Sequence, residues 1–478
     1  MVRDEIKKLL GSSAEIEIPK DKSLGDYSTN IALILAKQEK RSPMEIAKEI
    51  ESRIKNQELG MFEKIEVVKP GFINFFLSKE YLIKHLNDKV KNIGKGLKIN
   101  VEFISANPTG PLTLGNGRGG FGGDILANIL RKAGFDVVKE FYINDRGGQI
   151  EKLKKGLYKG EKREALEIQK ENQKLITEKL KINFDVWFSE KSLYKKKEVA
   201  KVLDYLKKKN LVYKKEGALW FKSTNFGDDK DRVLIKENGE ETYFLSDIAY
   251  LKNKFSRGFK KLIIFLGADH AGYVARMKAA VEALGYKKEQ LDFIIMQLVR
   301  LMEKGQEVKM SKRAGVFIEL KELINEVGLD VARFFFLARA ANSHLVFNLE
   351  LAKKKSQENP VYYVQYAYAR INSILAKSNP PAGGQNLKLL DSSEELNLIK
   401  QLIRFPEVVE DTAKDYQIQR LPQYSIDLAE SFHRFYEKCQ VISDNKETTR
   451  ARLALLLATK IVFENTFNLM GISAPEKM

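Results

Sequence analysis

The rhythm of apolar and polar positions changes twice along the chain. Up to residue 96, helical spacings alternate with short β-rich runs such as KIEVV (64–68) and FINFFL (72–77), a mixture that predicts a small α/β accessory domain. From 97 to 354 apolar strands are followed by helical patterns: VEFIS (101–105), VVKEFYI (137–143), KLIIFLG (261–267) and DFIIMQLVRL (292–301). Strand–helix alternation of this kind implies a parallel sheet wound with helices. Within it, residues from about 150 to 225 are lysine-rich and read as a mostly helical insertion. From 355 to 478 strand signals vanish. Helical runs, broken by SNPPAGGQN (378–386) and ending in RARLALLLATKIVFENTFNLMG, predict an all-α bundle.

Between VEFIS and the helical run GDILANILRKAG lies PTGPLTLGNGRGGFGG. Strand, glycine-rich turn and helix together make a phosphate site, because glycines let backbone N–H groups approach an anion and the helix N-terminus adds partial positive charge. Gly134 is placed to end that helix as its C′ residue. The segment fits G-x-G-x-x-G as Gly117, Gly119 and Gly122, with Glu140 where a dinucleotide-binding fold holds its ribose acid. Further on, EVKMSKRAG (307–315) sets Lys309, Lys312 and Arg313 in a cationic loop suited to charge developing on phosphates. A nicotinamide-enzyme reading accounts for the glycines and Glu140 but leaves that loop and the helical C-terminus unexplained.

The formal net charge of +18, with lysine concentrated in KLKKGLYKGEKR (152–163) and between Lys191 and Lys215, fits either a polyanionic partner or solvated helix faces. One cysteine, Cys439, excludes an internal disulfide framework and a thiolate metal cluster. His85, His270, His344 and His433 never fall three or four residues apart, so no histidine metal site is expected. The N-terminus lacks a signal-like apolar core, and no run reaches the ~18 apolar residues of a membrane span. A soluble cytoplasmic protein is the expectation.

ANPTGPLTLGNGRG followed by YIND and KMSKRAG resembles the two ATP-binding signatures of class I aminoacyl-tRNA synthetases. YFLSDIAY, GADHAGYVARMKAA, DVARFFFLARAANSHLVFNLELA, ENPVYYVQYAYARI and LMGISAPEKM resemble the arginyl-tRNA synthetase family in particular. The resemblance spans almost the whole chain. It implies a Rossmann-type α/β catalytic domain between an accessory domain that contacts tRNA and a helical anticodon-binding bundle. It also implies ATP with Mg2+ as substrate without a tightly bound metal, and L-arginine and tRNA(Arg) as partners of a chain expected to be a monomer.

Carried over residue by residue, the resemblance gives Lys309 and Lys312 the catalytic role at the triphosphate, with Gly115, Gly117, His270, Met310 and Ser311 around ATP. Arginine would be read by Glu102, Asn107, Tyr243 and Asp247. Tyr243 and Asp247 share one face if their segment is helical. In the accessory domain Tyr27 and Asn30 would meet the tRNA D-loop, whereas Tyr362, Tyr363 and Tyr366 read as helix packing. One departure stands out: the two histidines usual in the first signature are Thr113 and Asn116 here. Thr113 and Asn116 still offer hydrogen-bond donors, so catalysis is expected, and the competing reading is a catalytically silent tRNA-binding paralogue.

Overall fold

The computed structural model describes residues 1–11, 14–57, 59–146, 165–270, 272–307, 319–378 and 386–478. The chain begins with helix α1 (Val2–Leu10), strand β1 (Tyr27–Thr29), helices α2 (Ile31–Glu39) and α3 (Pro43–Lys55), the hairpin β2 (Phe62–Val68) and β3 (Phe72–Leu77), and α4 (Lys79–His85). Its sheet has the order β1-β3-β2 and is antiparallel. Ile46, Ala47, Ile50 and Ile54 form the buried stripe of α3, and Ser78 caps α4 by accepting the Tyr81 N–H at 3.2 Å.

The central sheet follows: β4 (Lys98–Glu102), α5 (Leu114–Lys132), β5 (Asp136–Ile143), α6 (Ala165–Lys174), β6 (Val186–Ser189), α7 (Glu190–Lys195), α8 (Glu198–Lys208), β7 (Val212–Lys215), β8 (Ala218–Phe221), β9 (Arg232–Ile235), α9 (Tyr243–Ser256), β10 (Lys261–Gly267), α10 (Tyr273–Ala283) and β11 (Leu291–Met296). Five strands run parallel in the order β11-β10-β4-β5-β6. Two expectations need correction. The stretch from 150 to 225 is mostly helical in its described part, as expected, but it is not simply inserted, because Val186–Ser189 pairs with β5 and completes the main sheet; β7 and β8, with the later β9, form a small antiparallel sheet. DFIIMQLVRL is not one strand: it divides between β11 and β12 (Val299–Glu303), which belong to different sheets. The second of these sheets is β13-β12-β14, built with β13 (Gln306–Glu307) and, after α11 (Leu320–Val327) and α12 (Leu329–Leu337), β14 (Leu345–Asn348).

The glycine run is also not a turn. α5 begins at Leu114, so Gly115 to Gly123 lie inside a helix. Their smallness serves packing: a Cβ on Gly123 would stand 2.2 Å from the Phe103 ring, and one on Gly117 2.5 Å from Leu320. Gly134, at φ +89°, does follow the helix as its left-handed terminator.

After α13 (Leu349–Lys353) come the four long helices α14 (Pro360–Lys377), α15 (Ser393–Asp415), α16 (Arg420–Lys438) and α17 (Lys446–Met470). The accessory domain is docked on α15. Arg3 pairs with Glu407 and Asp411, the Tyr27 hydroxyl donates to Glu407 at 3.0 Å, and Glu410 accepts the Lys91 N–H. α17 is tied to α5 through Arg333, which is buried and donates to Asp124 of α5 at 2.7 Å and to the Met470 carbonyl at 3.2 Å. Among described helices α17 alone has the length and mean hydropathy (1.3) of a membrane span, yet half of that window is buried in the structure.

Candidate active site

At the end of β4 the backbone makes a costly excursion: Ile104 and Ser105 both have positive φ, +65° and +37°. Such conformations cost about 1–3 kcal/mol each and are especially unfavourable for a β-branched residue. The turn places the Ser105 hydroxyl against Glu102 Oε1 (3.1 Å) and against the Tyr142 N–H (3.0 Å), joining the carboxyl ends of β4 and β5.

Around that junction three acids and a phenol converge. Glu190 opens α7 directly after β6; it is buried, its Oε2 has no partner among the described residues, and burial pushes its carboxyl up to about 7. Asp247, half-buried in α9, is also raised to about 7, chiefly by burial and further by the charges of Glu190 and Glu102. It accepts the Tyr273 hydroxyl at 2.9 Å, which only partly opposes the rise. The Tyr142 hydroxyl is buried without a partner among the described residues and is pushed up by burial and then by Glu190, Asp247 and Glu102. Glu102 is already neutralised by Lys254, a fully buried lysine of α9. Glu190 and Asp247 have no ion-pair partner among the described residues. Two strained carboxyls beside an unpartnered phenol suit a cation with several planar donors, and a guanidinium pairs bidentately with carboxylates.

Of the predicted arginine-binding residues, Tyr243 and Asp247 share one face of α9, as their four-residue spacing predicted, and Tyr243 is 54 % exposed at the helix start. Asn107 is exposed on the loop after β4. His270 lies in the 3-10 turn that follows β10, exposed beside Asp269. Sequence reasoning missed Glu190 and Tyr142. The signal for Glu190 was the short β-rich run VWFS just before it, hidden among lysines.

Thr113 and Asn116 are found capping one another at the start of α5. The Thr113 N–H and hydroxyl both donate to Asn116 Oδ1, at 2.9 and 3.0 Å, and the Asn116 N–H reaches Thr113 Oγ1 at 3.4 Å. Thr113 thus has its hydroxyl proton committed within the protein, contrary to a free donor role, while among the described residues no acceptor takes the Asn116 side-chain N–H groups. Gly115 sits in the same first turn. Gly117 packs against Leu320 and its N–H donates to the Thr113 carbonyl at 3.1 Å, which tells against its reading as a phosphate-cradling glycine. Lys309, Met310, Ser311 and Lys312 lie outside the described residues. The chain after them returns to the helix start: Glu319 bridges to Thr113, and the Leu320 N–H donates to the Leu112 carbonyl at 2.8 Å. Glu140 is buried and holds Arg257 and the Tyr250 hydroxyl, so it is no ribose acid, and the dinucleotide reading falls.

The RNA-facing expectations divide. Tyr27 is 2 % exposed and hydrogen-bonded to Glu407, so it cannot read a loop base; its aromatic ring is a domain-joining core residue. Asn30 is half-buried before α2, with a partnerless Oδ1. On the bundle, Tyr362 and Tyr366 lie parallel at 6.2 Å, Tyr366 stacks on His433 at 6.0 Å, and the Arg370 guanidinium covers the rings of Tyr366 and Tyr436. The ladder is half-exposed, as its packing role allows, and flat rings beside a guanidinium are also the kind of surface on which bases stack.

Family profiles match in three blocks: the arginyl tRNA synthetase N-terminal domain over residues 1–77, the catalytic domain of class I (R) tRNA synthetases over 161–344, and the DALR anticodon binding domain over 364–478. Arginine–tRNA ligase 1 of Halalkalibacterium halodurans is 43 % identical, covering 97 % of this chain and 94 % of that protein. The arginine–tRNA ligase of Bacillus subtilis is 44 % identical over the same shares. In fold the chain is similar to Thermus thermophilus arginyl-tRNA synthetase, with a TM-score of 0.86, 21 % identity and full coverage of both chains.

Proposed function

The chain belongs to the arginyl-tRNA synthetases, class I aminoacyl-tRNA ligases, and from that premise we propose how its own residues perform the ligation. Arginine enters with its guanidinium between Glu190 and Asp247, beneath Tyr243 and beside Tyr142. Glu102, held by Lys254, shapes the floor at the strand end. Arginine's carboxylate then attacks the α-phosphate of ATP, supplied with Mg2+, and pyrophosphate leaves, giving arginyl-adenylate. The protein's part in such a displacement is positioning and charge stabilisation. The N-terminal turn of α5, the Asn116 amide, Lys309 and Lys312 supply donors to the phosphates, with His270 beside the nucleotide. In the second step a ribose hydroxyl at the 3′ end of tRNA(Arg) attacks the adenylate carbonyl and AMP departs.

The observation that carries this reading is the pair of carboxyls, Glu190 and Asp247, that have no ion-pair partner among the described residues and lie at the carboxyl end of the parallel sheet, where ligands of α/β folds bind. The aromatic ladder of α14 and α16 is proposed to receive unstacked bases of the same tRNA. We place the enzyme in the cytoplasm as a monomer. ATP-dependent charging of a tRNA mixture with each of the twenty amino acids tests the reading: arginine alone should be attached. A protein that bound tRNA but charged it with nothing would instead be the silent paralogue.

A further inference from the structure

Arg118 occupies the second turn of α5, and its side chain is completely buried. Among the described residues it has no carboxylate partner. Nη1 donates to the Gln297 carbonyl at 2.7 Å, and Nη2 to the carbonyls of Ala340 and Ser343, both at 2.8 Å; Nε has no acceptor. Burial of the charge among dipoles alone lowers this guanidinium to about 10. Charge held in this way is costly, and breaking such a buried site more so. The fork is what the place requires, since three carbonyls from two separate segments are gathered by one planar group.

Those segments are the roots of one sheet. Gln297 precedes β12, and Ala340 and Ser343 precede β14; β12 and β14 are parallel neighbours in register from Val299 and Leu345. Gln297 and Ala341 are further joined by an N–H···O bond of 2.9 Å. On its other side the start of α5 holds the chain at Glu319 and Leu320, through Thr113, Leu112 and the close approach of Gly117. The first two turns of α5 thus grip both the β12–β14 sheet and the beginning of α11.

We propose that Arg118 is a positioning residue for adenylate formation: without touching substrate, it sets where the β12–β14 sheet stands against the N-terminal turn of α5. The inference rests on the function proposed above. Misplacement of reacting groups by about 1 Å costs about a hundredfold in rate, so small shifts of this sheet should be visible in the chemical step while arginine binding, on the Glu190 and Asp247 side, is spared.

The test compares Arg118→Met and Arg118→Lys with the unaltered enzyme at a temperature where circular dichroism shows all folded. The pre-steady-state rate of arginyl-adenylate formation is read at saturating MgATP and arginine, with tRNA present, alongside the arginine dissociation constant. Arg118→Met should slow the step by about a hundredfold, and Arg118→Lys, which keeps the charge but loses the fork, by about tenfold or more, with arginine affinity unchanged within about twofold. Gly117→Ala, which pushes Leu320 from the other side, should give the same pattern and decides the matter if Arg118→Met does not fold. A folded variant that forms adenylate at the unaltered rate, or that loses arginine affinity and rate equally, would overturn the proposal. Absence of adenylate from the unaltered enzyme would instead overturn the functional reading.

Discussion

Thr113 and Asn116, the residues that replace the usual histidines of the first signature, bind each other through three hydrogen bonds across the first turn of α5. The departure is therefore a helix cap as well as a change in the proposed active site. Asn116→Ala removes both the acceptor for Thr113 and the amide proposed to donate to phosphate. It should cost about 1 kcal/mol of stability and slow adenylate formation by about a hundredfold. Thr113→Ala should cost similar stability with a smaller rate effect, because its hydroxyl is turned inward. Thermal unfolding together with rapid-quench adenylate assays separates the two.

Glu190→Gln should stabilise the protein at pH 8 while abolishing arginylation. The folded carboxyl titrates near 7 rather than at its ordinary value of about 4.3. Below both values the two states are protonated alike. Between them the unfolded chain ionises and the folded one does not, so stability falls as pH rises, and above 7 the full penalty persists. The Tm of the glutamine variant relative to the parent should accordingly climb from pH 5 to pH 8. A relative Tm independent of pH would show that Glu190 is ionised without penalty.

The same titration predicts how substrate binding follows pH. Since the guanidinium needs ionised partners, and Glu190 and Asp247 both titrate at about 7, KM for arginine should rise by about tenfold per pH unit on going below 7 if one proton must leave, and more steeply if both must. Steady-state arginylation between pH 5.5 and 8.5 checks this. A flat KM across that range would contradict the acid pair.

Tyr366→Ala on α14 should weaken tRNA binding by about 1–3 kcal/mol, roughly five- to 150-fold, if a base stacks there. KM for ATP and arginine should not change. Filter binding at fixed salt measures the first, and unaltered tRNA affinity would leave the ladder a packing feature.

How legible this protein was depends on which force set each feature. The parallel sheet, the helical C-terminus and the Tyr243–Asp247 face follow from local periodicity, and they stand as expected. Glycines 115 to 123 misled because their purpose is tertiary: a helix pressed on Phe103 and Leu320 needs small residues just as a phosphate turn does. Lys254 and Arg118, both buried, look in sequence like surface cations, and only the fold supplies Glu102 and three carbonyls as their partners. Tyr27 erred in the opposite direction, for its aromatic ring and hydroxyl, suited to RNA, are used to join the accessory domain to Glu407.

The central claim is that Glu190 and Asp247 read positive charge on the substrate. Calorimetric binding of L-arginine and of L-citrulline, its neutral near-isostere, at pH 8 with tRNA present tests it most directly. Uncompensated burial of paired charges costs about 3–5 kcal/mol, so citrulline should bind at least a hundredfold more weakly than arginine, and Asp247→Asn should erase most of that preference. Equal affinity for the two ligands would show that the carboxyls do not hold the guanidinium.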